Sequence, residues 1–146
     1  MKPSAALFVA LHYLSLASAA SIAKPDDIVQ NHETHYCLND GVVWGDEKGE
    51  ALVVARKACE SDFHGIFKRA EYRIRCYNLS RHKHVKLLFH LSGKSPDHLK
   101  KLSREECYRW LSDEIYNCPQ GSNVLYGHWR YKIDPAPDTC PGWDER

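Results

Sequence analysis

The sequence predicts a small α+β protein, a β-α-β-β-α-β two-layer sandwich with one antiparallel sheet, two helices on one face and three disulfides. Hydrophobic periodicity alternates along the chain between the helical spacing and the two-residue spacing of strands. Six cysteines (Cys37, Cys59, Cys76, Cys107, Cys118 and Cys140) form an even set, all distal to an apolar N-terminal segment. That even number suits disulfides in an oxidising compartment.

The N-terminal segment has a short basic start (Met1, Lys2), an apolar run from Ala5 to Leu16 and small residues from Ala17 to Ser21. This is the layout of a secretory signal with cleavage after Ala19 or Ala20, and its roughly 12-residue core is short of the ~20 a spanning helix needs. We therefore divide the chain into a signal peptide (1–20), a polar flexible arm (21–36) and a single disulfide-stapled domain (37–146), secreted and without a transmembrane segment. Loss of Lys2 takes Lys plus Arg from 20 to 19 against 19 acidic residues, so net charge is zero with neutral histidines and points to no nucleic-acid partner.

Gly41 to Gly45 (GVVWG) reads as a short buried strand. Asp46 then caps a helix to about Cys59, with Ala51, Leu52, Ala55, Ala58 and Cys59 at helical spacing. From Ile66 to Tyr77 the period is two, with Tyr72, Ile74 and Cys76 on the expected core face and Glu71, Arg73, Arg75 and Tyr77 opposite. Val85, Leu87, Phe89 and Leu91 alternate with Lys86, Leu88 and His90, which completes an antiparallel hairpin. Ser103 and Glu106 form a capping box for a second helix with a stripe of Cys107, Trp110, Leu111, Ile115 and Cys118, stopped by Pro119 and Gly121. A last strand, Val124 to Ile133, places Trp129, Tyr131 and Ile133 inward and Arg130 and Lys132 outward, with Gly127 as a bulge. Right-handed crossovers put both helices on one face.

Helix geometry excludes a Cys107–Cys118 bond, because eleven residues of helix separate their Cα atoms by about 16 Å against a tolerance of roughly 7 Å. The fold suggests Cys59 with Cys107, Cys37 with Cys140, and Cys76 with Cys118.

Motifs for chemistry are sparse. His32-Glu33-Thr34-His35 has histidines three apart rather than the four of a helical zinc site, and the lysine and arginines around His82 and His84 repel cations, so no metal or other cofactor is expected. No nucleophile elbow or phosphate loop occurs, and Glu105/Glu106 and Asp113/Glu114 are helix neighbours expected to point apart, so the chain is not expected to be an enzyme. Asn78-Leu79-Ser80 is an N-glycosylation sequon in the expected hairpin turn. Alternation gathers Arg73, Arg75, Lys86, Arg130 and Lys132 on the open side of the sheet as hydrogen-bond donors, with Trp44 or Tyr77 as a surface on which a sugar stacks.

The cysteine frame and its neighbours carry a resemblance. Cys37, Gly41-Val42-Val43-Trp44, Ala58-Cys59, Cys76, Glu106-Cys107, Glu114-Ile115-Tyr116-Asn117-Cys118, Gly121, Trp129-Arg130-Tyr131, Asp134-Pro135 and Cys140 resemble small secreted fungal proteins related to a mushroom glycan-binding lectin. That family also includes pathogen elicitors that induce plant defence or cell death. The element order looks, more loosely, like that of killer-toxin-like and necrosis-inducing effectors. The resemblance implies a lectin-like effector that meets a glycan at the host surface. The alternative is an elicitor or toxin that acts through a protein receptor or a membrane without binding sugar.

Overall fold

The computed structural model describes residues 34–142. The expected signal peptide, the arm up to residue 33, and Trp143 lie outside the described residues. In chain order the elements are β1 (Thr34–Cys37), α1 (Lys48–Ser61), β2 (Gly65–Lys68), β3 (Tyr72–Leu79), β4 (Lys83–Leu91), β5 (Leu99–Leu102), α2 (Arg104–Asn117), β6 (Ser122–Tyr126) and β7 (Trp129–Pro137). Five strands form an antiparallel sheet in the order β1-β6-β7-β4-β3, and β2 pairs with β5 as a separate antiparallel ribbon. The α+β class, the antiparallel sheet and the three disulfides are as the sequence predicts, whereas the element order departs from it at four places.

The first is Gly41–Gly45, which is not a strand. Gly41 and Gly45 take φ of +141° and +55°, values that interrupt extended backbone, and Trp44 is already helical at the entry to a single 3-10 turn, Gly45–Glu47. The first strand lies earlier, at residues 34–37, and takes in the last three residues of the segment expected to be a flexible arm together with Cys37. Pairing of Thr34, His35, Tyr36 and Cys37 with β6 supplies the order that composition alone does not show. Second, the run from Ile66 to Tyr77 breaks at Ala70, whose φ is +63°, into β2 and β3. Third, Leu99–Leu102 becomes β5 by pairing with β2. Fourth, the expected last strand folds back on itself: Tyr126 faces Trp129 across Gly127 and His128, so Gly127, at φ +57°, is a hairpin residue rather than a bulge.

Both helices pack on one face of the sheet. Ala51, Ala55, Ala58 and Cys59 of α1 and Cys107, Leu111 and Ile115 of α2 meet Val85, Leu87, Phe89 and Leu91 of β4 and Trp129, Tyr131 and Ile133 of β7 in one core. Each large side chain there contributes about 1.5–3 kcal/mol. The α2 capping box forms as expected: the Glu106 backbone N–H donates to Ser103 Oγ at 3.1 Å, and the Ser103 N–H donates to Glu106 Oε2 at 3.2 Å. Gly121, at φ +87°, lies so close to β7 that a Cβ there would meet the Ile133 carbonyl oxygen at 2.2 Å, so no other residue fits.

The Cys59–Cys107 bond joins the two helices as expected, with Cα atoms 5.7 Å apart, and Cys107 and Cys118 are not bonded to each other. The other two expected pairs are corrected to Cys37–Cys118 and Cys76–Cys140. Placing β1 at residues 34–37 explains the first, since it brings Cys37 opposite Ser122, just past the end of α2. The second follows from the length of β7, which runs on to Pro137 opposite Lys83; the chain then turns at Asp138 (φ +68°) across the end of β4 and reaches β3.

Candidate functional site

The residues singled out from the sequence separate into two groups. Arg73 pairs with Phe89, Arg75 with Leu87 and Tyr77 with Val85, so all three face the helices, opposite to the sequence-based expectation. Arg73 donates to the carbonyl oxygens of Asp62, His64 and Ile66 (3.3, 2.9 and 2.8 Å), pairs with Glu71 at 2.9 Å, and lies 3.9 Å from the centroid of the Phe67 ring. Arg75 and Tyr77 converge on one Asp62 carboxylate, at 2.9 and 2.7 Å. Burial acts to raise the Asp62 carboxyl, but hydrogen bonds from Ser61, Tyr77 and Arg75 outweigh it and hold the group below its ordinary range. Burial, reinforced by that carboxylate, pushes the Tyr77 phenol up. These side chains bind the C-terminal end of α1 to an edge strand, where carbonyls and an acid meet cations.

Trp44 is no stacking surface either. It is 2% exposed, and its indole N–H donates to the Cys118 carbonyl at 2.9 Å. Its place in the apolar run GVVWG, read from the sequence as buried, already pointed to the core rather than to a stacking surface.

Lys86, Arg130 and Lys132 do lie on the open face. Register aligns Tyr72, His90, Arg130, Leu125 and Thr34 in one cross-strand row and Ile74, Leu88, Lys132, Asn123 and Tyr36 in the next. Tyr72, Leu88, His90, Asn123, Arg130 and Lys132 surround a shallow groove of about 330 Å³. Asn78 of the sequon is exposed near the end of β3; its side-chain oxygen accepts the Cys140 N–H at 2.6 Å, and the Ser80 hydroxyl donates to Glu50 at 2.7 Å.

A larger cleft, about 550 Å³, lies between α2 and the β1-β6 side of the sheet. Its wall is aromatic: Trp110 stacks on Tyr131 with centroids 5.4 Å apart and planes 11° apart, and Tyr126, 39% exposed, tilts against Trp110 at 5.5 Å. Arg109, Asp113 and Asn117 line it, spaced by four along one helical stripe. The adjacent stripe adds Glu114, buried, whose Oε2 lies 2.7 Å from His35 Nε2. Asp113 and Glu114 were expected to point apart, yet both border this cleft, since neighbouring helical stripes can share one concavity. The spacing of Arg109, Asp113 and Asn117 beside Trp110 is the signal that could have located it.

His35 belongs to the histidine pair considered for metal; its partner His32 is outside the described residues. His35 Nε2 lies 3.5 Å from Cys118 Sγ, but Cys37 and Cys118 share a disulfide, so neither sulfur is a thiolate ligand. No family model matches the chain, and no curated protein matches it. No helix among the described residues is long and apolar enough to cross a membrane.

Proposed function

We propose that this chain is a secreted, fungal-type glycan-binding protein that acts outside the cell as an effector or elicitor at a host surface, and that the cleft between α2 and β6 receives the sugar. The observation that carries this is the aromatic wall of Trp110 and Tyr126 beside the stripe Arg109, Asp113 and Asn117. A pyranose ring offers an apolar face for stacking and a rim of hydroxyls, each both donor and acceptor. Asp113 accepts, Arg109 donates and Asn117 does both. The Glu114–His35 pair fixes one end of the cleft without competing for those groups. The three disulfides and the absence of a spanning helix among the described residues are compatible with an extracellular protein.

A glycan array probed with the mature protein and with Tyr126→Ala and Asn117→Ala tests the reading. Both side chains are partly or largely exposed, so these variants are expected to fold. We expect binding to one glycan class and loss of about tenfold or more in each variant. No binding to plant, fungal or animal glycans, together with intact cell-death activity, would replace this reading by the protein-receptor or membrane alternative.

A further inference from the structure

We propose that the open face of the sheet is a second binding surface, for a linear polyuronate. This rests on the register of β3, β4, β7 and β6 and not on the cleft. Lys86, Arg130 and Lys132 project from two adjacent strands of this face, with His90 directly opposite Arg130. The face carries one carboxylate among them, Asp134, and Lys132 takes it at 2.7 Å. Asp134 lies directly opposite Lys86 in the register but pairs with Lys132, and neither Lys86 nor Arg130 forms an ion pair among the described residues. Like charges on neighbouring strands cost stability unless an anion compensates them.

Arg130 is held ready for such an anion. Its Nε donates to the Asn123 side-chain oxygen at 3.1 Å, which orients the guanidinium and leaves its terminal nitrogens without a protein partner among the described residues. A guanidinium fork matches a planar carboxylate bidentately. Between the cations the groove is apolar, with half-buried Leu88 and with Tyr72, 65% exposed, at its β3 end. Cations separated by flat apolar surface fit a chain of sugar rings bearing carboxylates. Arg130 and Lys132 stand two residues apart on β7, about 6.6 Å along the strand, and Lys86 lies one further two-residue step along on β4, so a linear polymer running along these strands would pass all three. Leu88, the apolar residue in the middle of the groove, is half-buried rather than fully exposed, which disfavours insertion into a bilayer. The near-zero net charge of the chain makes attraction for a polyanion local to this face, and a nucleic acid is the competing polyanion in the test.

Titration calorimetry of the mature protein with polygalacturonate tests the proposal, alongside the same polymer with its carboxyl groups methyl-esterified. Phosphatidylserine-containing vesicles and single-stranded RNA form two further arms. We expect binding to the free acid that weakens with salt, is lost on esterification, and falls about tenfold or more in Arg130→Gln and in Lys86→Gln. Tyr126→Ala, in the cleft, should leave it unchanged, which separates failure of this surface from failure of the glycan cleft. Equal binding of the esterified polymer, unaltered binding by both glutamine variants, no binding at all, or tighter binding to vesicles or RNA would each overturn the proposal.

Discussion

The two faces of the central sheet treat the same residue type in opposite ways. On the helix side, Arg73 is saturated by three carbonyls, Glu71 and a phenylalanine ring. On the open side, the Arg130 side chain makes one hydrogen bond among the described residues, to Asn123. A cation in a strand therefore reveals its role by what the fold places opposite it, not by its position in an alternating run. The helix-side cations tie α1 to β3, whereas on the open side Lys132 is paired with Asp134 and Arg130 keeps its terminal nitrogens without a hydrogen bond among the described residues.

The largest effect should come from the helix side. Trp44→Ala removes a buried indole and leaves the Cys118 carbonyl without its donor, so we expect a loss of about 3–5 kcal/mol in denaturant unfolding. A loss under about 1 kcal/mol would mean that Trp44 is not the core plug described here. Next comes Asp62→Ala, which releases Arg75 and Tyr77 together, for an expected loss of about 1–3 kcal/mol. If Asp62→Ala matched the wild type, the tie between α1 and β3 would not be stabilising.

Acidity sharpens the same contrast. The ion pair with Lys83, at 2.6 Å, holds the Glu47 carboxyl below its ordinary range against the opposing effect of burial. The Lys68 backbone N–H does the same for Glu71, with Arg73 adding to it. A carboxylate depressed on folding contributes stability that is fully present above its unfolded pKa, about 4, and is lost as the pH falls through its lower folded value. The contribution of Glu47, Asp62 and Glu71 should therefore persist at neutral pH and decline as the pH falls below about 4. Thermal unfolding across pH should show that decline reduced in Glu47→Gln. An identical acid limb in Glu47→Gln would remove the Lys83 pair from the account. The smallest effect should be that of Tyr72→Ala on the open face, within about 0.5 kcal/mol of the wild type.

The legible parts of the fold were those with dense local signals. The capping box at Ser103 and Glu106, the stripe of α2 and the inward set of β4 needed nothing beyond their own neighbourhood. Tertiary partners decided what was not legible. In β3 the apolar alternates Tyr72, Ile74 and Cys76 face outward because Cys76 is pinned by the returning C-terminal segment, while Arg73 and Arg75 turn inward to the end of α1. A periodicity argument assumes that apolar means inward, and an edge strand beside a helix terminus breaks that assumption. The ribbon of β2 and β5 was hidden for a related reason, since Leu99–Leu102 carries two central lysines and becomes a strand only by pairing. Of the candidate site, the positions of Lys86, Arg130 and Lys132 were readable from alternation. The cleft had a fainter signal in the spacing of Arg109, Asp113 and Asn117, which was masked because Trp110 beside them fits a core stripe and a binding wall equally well.

Thermal unfolding of Arg73→Ala beside Arg130→Ala tests the contrast between the two faces most directly. The account predicts that Arg73→Ala lowers stability by about 2–4 kcal/mol, through lost charge-assisted hydrogen bonds and the ring contact, a fall in Tm of several degrees or more. It predicts that Arg130→Ala stays within about 0.5 kcal/mol of the wild type. Equal losses in the two variants, or a larger loss in Arg130→Ala, would contradict it.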